Sequence, residues 1–308
     1  MHFAILTGPT ASGKSAVAQL IAEKNRAEIL SIDSMKLYRG LDIGTGKPTL
    51  EERARIPHLC IDTKDPWESA SVAEFVSAAE ALVANRAACG TPLIGEGGTA
   101  LYLKALSEGL FEGPGRNASL RARLETEIAS LGSAELHARL KAVDPKAASK
   151  ILPSDARRIV RALEVFELTG VPIGAWQQQW GRPRTDLDVR IACLNLPRPI
   201  LYARIDARVR AMLAAGWVDE CRRLLALEKP LSREAAQALG YKTLFAHLRG
   251  ELTLNAAIDR ICFDTHHFAR RQLHWFKRLP KTRFIELSGS EAPAEIAPRV
   301  EQAWEHAE

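Results

Sequence analysis

The sequence predicts an α/β fold in which helices surround a parallel sheet and a helical domain is inserted into the chain. Four short apolar runs are predicted strands, at residues 3–6, 27–32, 92–95 and 189–194. The first two runs lie about 25 positions apart, which is the distance of a βαβ crossover. Helical patterns separate the runs, and this alternation predicts a parallel sheet with its ligand at the carboxyl ends of the strands.

The remaining elements of the core follow the same alternation. Helical patterns cover residues 16–22, 72–88 and 100–106, and further helices follow the fourth strand as far as residue 279. Residues 283–287 are a last short strand.

One segment, residues 114–184, is helical throughout and is predicted as the inserted domain. Turn residues border the segment at 113–115 and 181–184. Helical patterns fill it at 120–131, 134–143 and 156–169. The predicted organisation is therefore a core of residues 1–113 and 185–308 with a helical insertion of residues 114–184 that acts as a lid.

Residues 8–15 read G-P-T-A-S-G-K-S, a complete phosphate-binding loop between the first predicted strand and helix. Its glycines allow backbone N–H groups to surround phosphate oxygens, and the helix N-terminus adds a positive dipole end. Lys14 would reach the terminal phosphates, and Ser15 would ligate Mg²⁺. The core is therefore predicted to be P-loop NTPase-like with a di- or triphosphate ligand; a glycine-rich turn without a ligand is the alternative. The candidate diphosphate-binding residues are Gly8, Thr10, Ala11, Ser12, Gly13, Lys14 and Ser15.

The composition is that of a globular protein without a membrane segment. No apolar run approaches the roughly 18 residues that span a bilayer. The N-terminus has neither the basic region nor the long apolar stretch of a secretory signal. The five cysteines are never spaced as CxxC, which favours reduced thiols over a disulfide framework or a zinc site. We expect a cytoplasmic protein.

A basic and aromatic segment lies near the C-terminus, at residues 266–283. It contains six lysines and arginines, three histidines and no acidic residue, with Phe268, Trp275 and Phe276 interleaved. Basic residues among aromatic ones can neutralise phosphates and stack on bases. The alternative is an amphipathic helix with a solvated cationic face.

Two candidate site residues follow predicted strands. Asp33 ends the second strand at the same sheet edge as the phosphate loop, where a carboxylate can ligate Mg²⁺ through water or accept a proton. An aspartate that closes a turn or caps a helix is the alternative. Thr99 ends a Gly-Gly-Thr sequence that allows the backbone to approach a ligand, and a tight turn is the alternative.

Two groups of arginines lie on predicted helices. Arg204 and Arg208 share a helix face, and an arginine there would clamp a leaving pyrophosphate. A surface ion pair with Asp206 or Glu220 is the alternative. The second group lies in the insertion, where it either contacts a polyanion or is solvated, and consists of Arg157, Arg158 and Arg161.

In their order along the chain, these motifs resemble the tRNA dimethylallyltransferase family. The resemblance extends from about residue 3 to residue 280, nearly the whole chain. It is carried by the phosphate loop and by S-I-D-S at 31–34, D-I-G-T-G-K-P at 42–48, G-G-T-A-L-Y at 97–102, R-R-I-V-R-A-L-E-V at 157–165, G-Y-K at 240–242 and F-A-R-R-Q-L-H-W-F at 268–276. The phosphate loop alone is generic, but the ordered set is specific.

The resemblance implies transfer of a dimethylallyl group from dimethylallyl diphosphate to the exocyclic amine of an adenine, with release of pyrophosphate. That adenine lies immediately 3′ of the anticodon in tRNAs that read codons beginning with U. Mg²⁺ is the implied cofactor. The implied partners are the tRNA anticodon stem-loop and the isoprenoid diphosphate, without a membrane, and we expect a monomer.

The resemblance also implies roles for single residues. Asp33 would be the general base, Thr99 would orient the reacting groups, and Arg208 would stabilise the pyrophosphate. The reaction needs both a proton acceptor and stabilisation of the leaving group, because an adenine amine, whose lone pair is delocalised into the ring, is a poor nucleophile. The implied tRNA-binding residues are Asp33, Ser34, Met35, Lys36, Arg157, Arg158, Arg161, Gly240, Tyr241, Lys242, Arg270, Arg271, Gln272 and Trp275.

The sequence departs from the family pattern at three positions. The run before Gly-Gly-Thr has one extra residue and a carboxylate, Glu96, which is either a second acid near Mg²⁺ or a bulge residue that faces solvent; we favour the bulge. His266 replaces an expected arginine, and His274 stands where threonine or serine is common. The sequence holds no C-terminal zinc finger of the kind eukaryotic relatives have, so we expect the bacterial type.

Two other functions are possible on this core. A small-molecule or nucleoside kinase would use Asp33 to activate a hydroxyl and would consume ATP without RNA. An RNA-binding NTPase would perform no group transfer. The second is disfavoured because we find no convincing strand of four apolar residues that ends in the aspartate of a Walker-B motif.

Overall fold

A computed structural model describes residues 2–110, 113–176 and 184–305 of the chain. No helix of the described residues has both the length and the apolar character needed to cross a membrane. The described strands are β1 His2–Thr7, β2 Glu28–Ile32, β3 His58–Leu59, β4 Leu93–Gly97, β5 Asp188–Asn195 and β6 Thr282–Glu286. The described helices are α1 Lys14–Asn25, α2 Leu50–Arg55, α3 Val72–Ala88, α4 Ala100–Glu108, α5 Ala118–Leu131, α6 Ser133–Val143, α7 Pro145–Ala148, α8 Ala156–Thr169, α9 Ile173–Trp176, α10 Arg198–Ala214, α11 Trp217–Leu225, α12 Arg233–Ala236, α13 Tyr241–Leu248, α14 Leu254–Phe276 and α15 Pro293–Glu305.

The strands form one parallel sheet in the order β3-β2-β4-β1-β5-β6. The predicted α/β class with a parallel sheet is therefore confirmed. The first strand is central and apolar, and its Ile5 and Leu6 are fully buried. Val17 and Ile21 of α1 are equally buried, because α1 covers one face of the sheet with apolar residues at helical spacing.

Most predicted elements occur close to the predicted residues. Helix α3 has the predicted bounds, and it begins there because the Ser71 hydroxyl accepts the N–H of Glu74 at 3.1 Å. Three elements were not predicted: the two-residue strand β3 at the edge of the sheet, the helix α2 and the helix α15. Helix α15 is fixed to the core by Trp304, whose indole N–H donates to the carbonyl of Ile5 at 3.0 Å.

The chain divides into two compact units. One unit consists of Met1–Ser107 and Arg184–Glu308, and the other consists of Glu108–Pro183. The second unit thus starts before the predicted boundary at residue 114. The predicted closing turn at 181–184 lies outside the described residues except for Arg184.

The second unit is helical, as the sequence predicts, and has its own apolar core. Helices α5, α6 and α8 pack around Leu124, Leu136 and Leu163. Capping side chains fix where two of these helices begin, since Asn117 accepts from an N–H of α5 at 3.0 Å and Asp155 from an N–H of α8 at 3.1 Å.

The sheet brings three separated segments to one edge. Because β4 lies between β1 and β2, the segments after these strands are neighbours: the phosphate loop, residues 98–99 and Asp33. Close approach at this edge requires glycine at position 97, where a Cβ would lie 2.2 Å from the carbonyl oxygen of Ile32.

Candidate active site

The phosphate loop connects β1 to α1. Ala11 and Gly13 adopt left-handed backbone angles, with φ of 64° and 91°, and the Ser12 N–H donates to the carbonyl of Pro9 at 3.1 Å. A Cβ on Gly8 would lie 2.6 Å from Ser12 Oγ. No side chain of the described residues caps α1, so its first N–H groups stay available to an anion.

Asp33 and Thr99 lie side by side after β2 and β4. Thr99 Oγ1 accepts the N–H of Ser34 at 3.0 Å, and Asp33 Oδ1 accepts the N–H of Met35 at 2.8 Å. Asp33 therefore closes a turn, which was the alternative interpretation. It also lines the same pocket as Thr99. The two interpretations are compatible, because the turn holds the carboxylate in a fixed orientation beside the pocket.

Gln272 of α14 connects the phosphate loop with the end of β4. Its Oε1 accepts the N–H of Thr10 at 2.9 Å, and its Nε2 donates to the carbonyl of Gly98 at 2.8 Å. The side chain is buried. The family resemblance implies that Gln272 contacts tRNA. In the structure, both the oxygen and the nitrogen of its side-chain amide are bonded within the protein.

A pocket opens beside these groups and has two kinds of wall. Its polar wall includes Thr10, Asp33, Thr99, Arg208 and Gln272. Such a pocket suits an anion that carries an apolar group. The apolar wall consists of Met35, Ile205, Val209, Met212, Trp217, Ala238, Leu239, Ile261 and Phe268.

Lys14 and Arg208 bring positive charge to this site without a partner of their own. Neither side chain makes a hydrogen bond or an ion pair with the described residues. Burial lowers the pKa of Lys14 and of Arg208 below their usual values, while Glu96 and Asp33 oppose this lowering. Lys36 adds a third cation near Lys14. An arriving polyanion would satisfy these charges.

The expectation that Glu96 is a bulge residue facing solvent is wrong. Glu96 is regularly paired in β4, opposite Leu6 of β1 and Ser31 of β2. Its side chain is 4% exposed, accepts the Ser15 hydroxyl at 3.0 Å and pairs with Lys36 Nζ at 3.4 Å. A bulge would break a ladder here, because β4 is bonded to a strand on each side.

The surroundings of Glu96 favour the ionised form of its carboxylate. Burial alone would raise its pKa, but Lys36, Lys14 and the hydrogen bond from Ser15 together hold the pKa below its usual value. The hard oxygens of Glu96, Ser15 and Asp33 are of the kind that Mg²⁺ prefers. No group of three or more His, Cys, Asp or Glu side chains in the described residues could hold a metal ion. Mg²⁺ would therefore need phosphate oxygens as further ligands, as is usual for this ion.

Arg204 and Arg208 have different surroundings, although they share a helix. Arg204 Nη2 donates to the carbonyl of Gly289 at 2.7 Å, whereas Arg208 lines the pocket. The alternative ion pairs are not made in the described structure. Asp206 is instead bonded to His266 Nε2 at 2.8 Å, so the histidine that replaces the expected arginine is held within the protein.

Glu220 is a site residue that sequence reasoning missed. Its carboxylate accepts the N–H groups of Asp42 at 3.0 Å and Ile43 at 2.8 Å, and the hydroxyl of Tyr241 at 2.6 Å. Glu220 thereby fixes the loop that brings Gly44 to the pocket. No local pattern could reveal this role, because the bonded partners lie far from Glu220 in sequence.

The candidate tRNA-binding residues differ in exposure. In the insertion, Arg157 and Arg158 are exposed, while Arg161 pairs with the buried Glu164 at 2.7 Å. In the core unit, Tyr241 is fully buried. The exposed members in the core unit are Lys242, Arg270, Arg271 and Trp275.

A parallel sheet with this loop and these cations defines a protein of the P-loop NTPase-like class with a site for a phosphorylated ligand. A family model described as IPP transferase matches residues 36–279. The chain belongs to the IPP transferase family.

Relatives along the full chain carry a more specific name. A tRNA dimethylallyltransferase of Symbiobacterium thermophilum is 46% identical over 306 residues, covering 97% of this chain and 95% of the relative. One of Roseiflexus sp. is 44% identical over 299 residues, covering 96% and 97%.

Solved structures agree with this assignment. The full-length tRNA isopentenylpyrophosphate transferase from Bacillus halodurans is 35% identical with a TM-score of 0.71, and the match covers 99% of this chain and 97% of that one. A eukaryotic dimethylallyltransferase acting on tRNA is 24% identical with a TM-score of 0.78, covering 93% and 74%, and shares the fold.

Proposed function

We propose that this chain transfers a dimethylallyl group from dimethylallyl diphosphate to the exocyclic amine of an adenine in tRNA. The family and the names of the relatives support this reaction. The observation that carries the proposal is one pocket in which Asp33 and Thr99 are found together with Arg208, beside the phosphate loop and Lys14. A proton acceptor and groups that stabilise a leaving anion thus meet at a single site.

The electron movement is a simple substitution. The adenine amine attacks the first carbon of the dimethylallyl group, the bond from that carbon to oxygen breaks, and its electron pair leaves with pyrophosphate. Lys14, Arg208 and the N–H groups at the start of α1 would bind the charge that develops on pyrophosphate. The apolar wall of the pocket would hold the isoprenoid.

The amine also loses a proton. Asp33 would accept that proton, and Thr99, held by the N–H of Ser34, would orient the reacting groups. The target adenine would have to leave its stack to reach the pocket.

Ser15 would hold Mg²⁺ together with the diphosphate, because a hydroxyl oxygen is a hard ligand that suits this ion. When bound, Mg²⁺ neutralises charge on the diphosphate.

The tRNA contact would involve the anticodon stem-loop, with the target adenine immediately 3′ of the anticodon in tRNAs reading codons that begin with U. Exposed cations and an exposed aromatic support this choice, since they can bind phosphates and stack bases. The proposed contact residues with exposed side chains are Arg157, Arg158, Lys242, Arg270, Arg271 and Trp275. Action as a monomer in the cytoplasm remains a prediction.

The test incubates the purified chain with Mg²⁺, radiolabelled dimethylallyl diphosphate and an unmodified tRNA of this class. We expect label in the RNA, and no label when the target adenine is replaced by guanine. Absent transfer together with ATP turnover would overturn the proposal in favour of a kinase.

A further inference from the structure

Glu96 has two contacts that differ in kind. Oε1 accepts the hydrogen of the Ser15 hydroxyl at 3.0 Å, and Oε2 pairs with Lys36 Nζ at 3.4 Å. The first contact reaches the phosphate loop from the neighbouring strand. Glu96 therefore acts on the residue that the loop motif assigns to Mg²⁺.

We propose that Glu96 is a positioning residue that selects a diphosphate carrying Mg²⁺ over a bare diphosphate. The inference rests on the proposed function, because it concerns the diphosphate of that substrate.

The first argument concerns the single hydrogen of the Ser15 hydroxyl. A hydroxyl has one hydrogen to donate and two lone pairs to offer. Since Ser15 donates its hydrogen to Glu96, its lone pairs point elsewhere and the oxygen can serve as a metal ligand. Without Glu96, the hydroxyl could turn and donate to a phosphate oxygen instead.

The second argument concerns charge. Three cations, Lys14, Lys36 and Arg208, share the site with the carboxylates of Asp33 and Glu96. Their sum is a single positive charge, and Arg204 beside Gly13 adds one more, whereas a diphosphate ester carries about three negative charges. Mg²⁺ supplies the positive charge that is missing. Removal of the Glu96 charge would make the site more favourable to the bare anion and less favourable to the metal.

The test titrates inorganic pyrophosphate into the full-length chain by calorimetry, once with EDTA and once with saturating Mg²⁺. For Glu96→Gln we expect binding in Mg²⁺ to weaken about tenfold. In EDTA we expect binding to become several-fold tighter. Two dissociation constants that stay unchanged, or that shift in the same direction, would overturn the inference, since damage to the site would weaken both.

Glu28→Gln is the matched control. Glu28 pairs with Arg86 at 2.6 Å at the beginning of β2, far from the carboxyl ends of the strands. The substitution removes a carboxylate from the same sheet, and both dissociation constants should remain those of the wild type. Weaker binding in Mg²⁺ together with tighter binding in EDTA in this variant too would overturn the inference.

A second variant covers the case in which Glu96→Gln does not fold because Lys36 is left buried and unpaired. The double variant E96Q/K36M removes both charges of the pair. We expect weaker binding in Mg²⁺ and metal-free binding within about twofold of the wild type. Unchanged binding in Mg²⁺ would overturn the inference. Transfer by the wild-type chain is measured separately, so failure of the proposed function is distinguishable from failure of this inference.

Discussion

Two buried carboxylates, Glu164 in the insertion and Glu96 in the core, are each flanked by cations, but only Glu164 is saturated. Arg121 binds both oxygens of Glu164 at 2.9 Å, Arg161 donates at 2.7 Å, and the N–H of Asn117 donates at 2.8 Å. These four hydrogen bonds occupy all of the roughly four acceptor sites of the carboxylate. The cluster ties α5 to α8.

The surroundings of Glu96 are incomplete by comparison. Glu96 accepts from one hydroxyl and one ammonium group, and the nearby Lys14 and Arg208 have no hydrogen-bond partner in the described residues. Partly buried charge without a partner is unfavourable until a ligand satisfies it. The comparison teaches that a saturated cluster stabilises the fold, whereas an unsaturated one marks a binding site.

The largest expected effect is that of Asp33→Ala. Loss of the proton acceptor should lower single-turnover transfer about 10²- to 10⁴-fold. The dissociation constant for tRNA, measured by filter binding, should stay within about twofold, because the many other phosphate contacts remain. Near-normal turnover with lost tRNA binding would show that Asp33 is not the base. The unsaturated charges around Glu96 would then no longer mark the reaction site.

Arg208→Ala should lower the transfer rate at saturating substrates about 10²-fold, since charge on the leaving pyrophosphate is then less well stabilised. Arg210→Ala, which removes an exposed arginine of the same helix, is the control and should retain the rate. An unchanged rate in Arg208→Ala would exclude Arg208 from the leaving-group site.

Lys14→Met tests whether an unsaturated cation serves ligand binding and not the stability of the fold. Affinity for dimethylallyl diphosphate should fall about 30-fold with the loss of a charge-assisted contact. The free energy of unfolding should stay constant or rise, because a cation without a partner is removed. Lys24→Met, on the exposed side of the same helix and paired with Glu301, should leave affinity unaltered. Denaturant unfolding that shows a large loss of stability in Lys14→Met would contradict this view.

Arg121→Met should show the opposite result. The free energy of unfolding, measured in urea, should fall by about 2 kcal/mol as Glu164 loses its bidentate partner. Transfer at saturating substrates by the folded variant should persist. Lost transfer at unaltered stability would mean that the insertion cluster belongs to the site.

The smallest expected effect is on the loss of stability at acidic pH. Burial would raise the pKa of Glu164, but hydrogen bonds from Arg121 and Arg161 hold it below the ordinary value of 4.5. A lowered pKa in the folded state gives stability that is complete above the ordinary value and is lost as the pH falls through the folded value. Glu164→Gln should therefore be less stable at neutral pH and should lose less stability on acidification, as measured by urea unfolding at several pH values. An equally steep acid loss would show that Glu164 does not titrate in this way.

Local patterns predict the framework of the molecule well. The phosphate loop between β1 and α1 and the capped helix α3 depend on neighbours in sequence, so their residues identify them. The strand β3 has only two residues and forms because β2 offers an edge. Its own sequence gives little indication of it.

Residues of the site can be predicted from the sequence only where they belong to a recognised motif. Asp33, Thr99 and Arg208 line one pocket, as the motifs imply, whereas Glu96 was assigned to a bulge. Whether an extra residue bulges or extends a strand depends on pairing with strands that are distant in sequence. The same holds for Glu220, whose bonds to Asp42 and Ile43 exist only in the folded chain.

The central claim is that one pocket both releases pyrophosphate and modifies an adenine. The most direct measurement follows a single turnover without ATP, counting pyrophosphate released and dimethylallyl adenine recovered from digested tRNA. The account predicts equal amounts of the two products, formed at the same rate and only with tRNA present. Pyrophosphate release without modified adenine, or phosphate release that requires ATP, would contradict it.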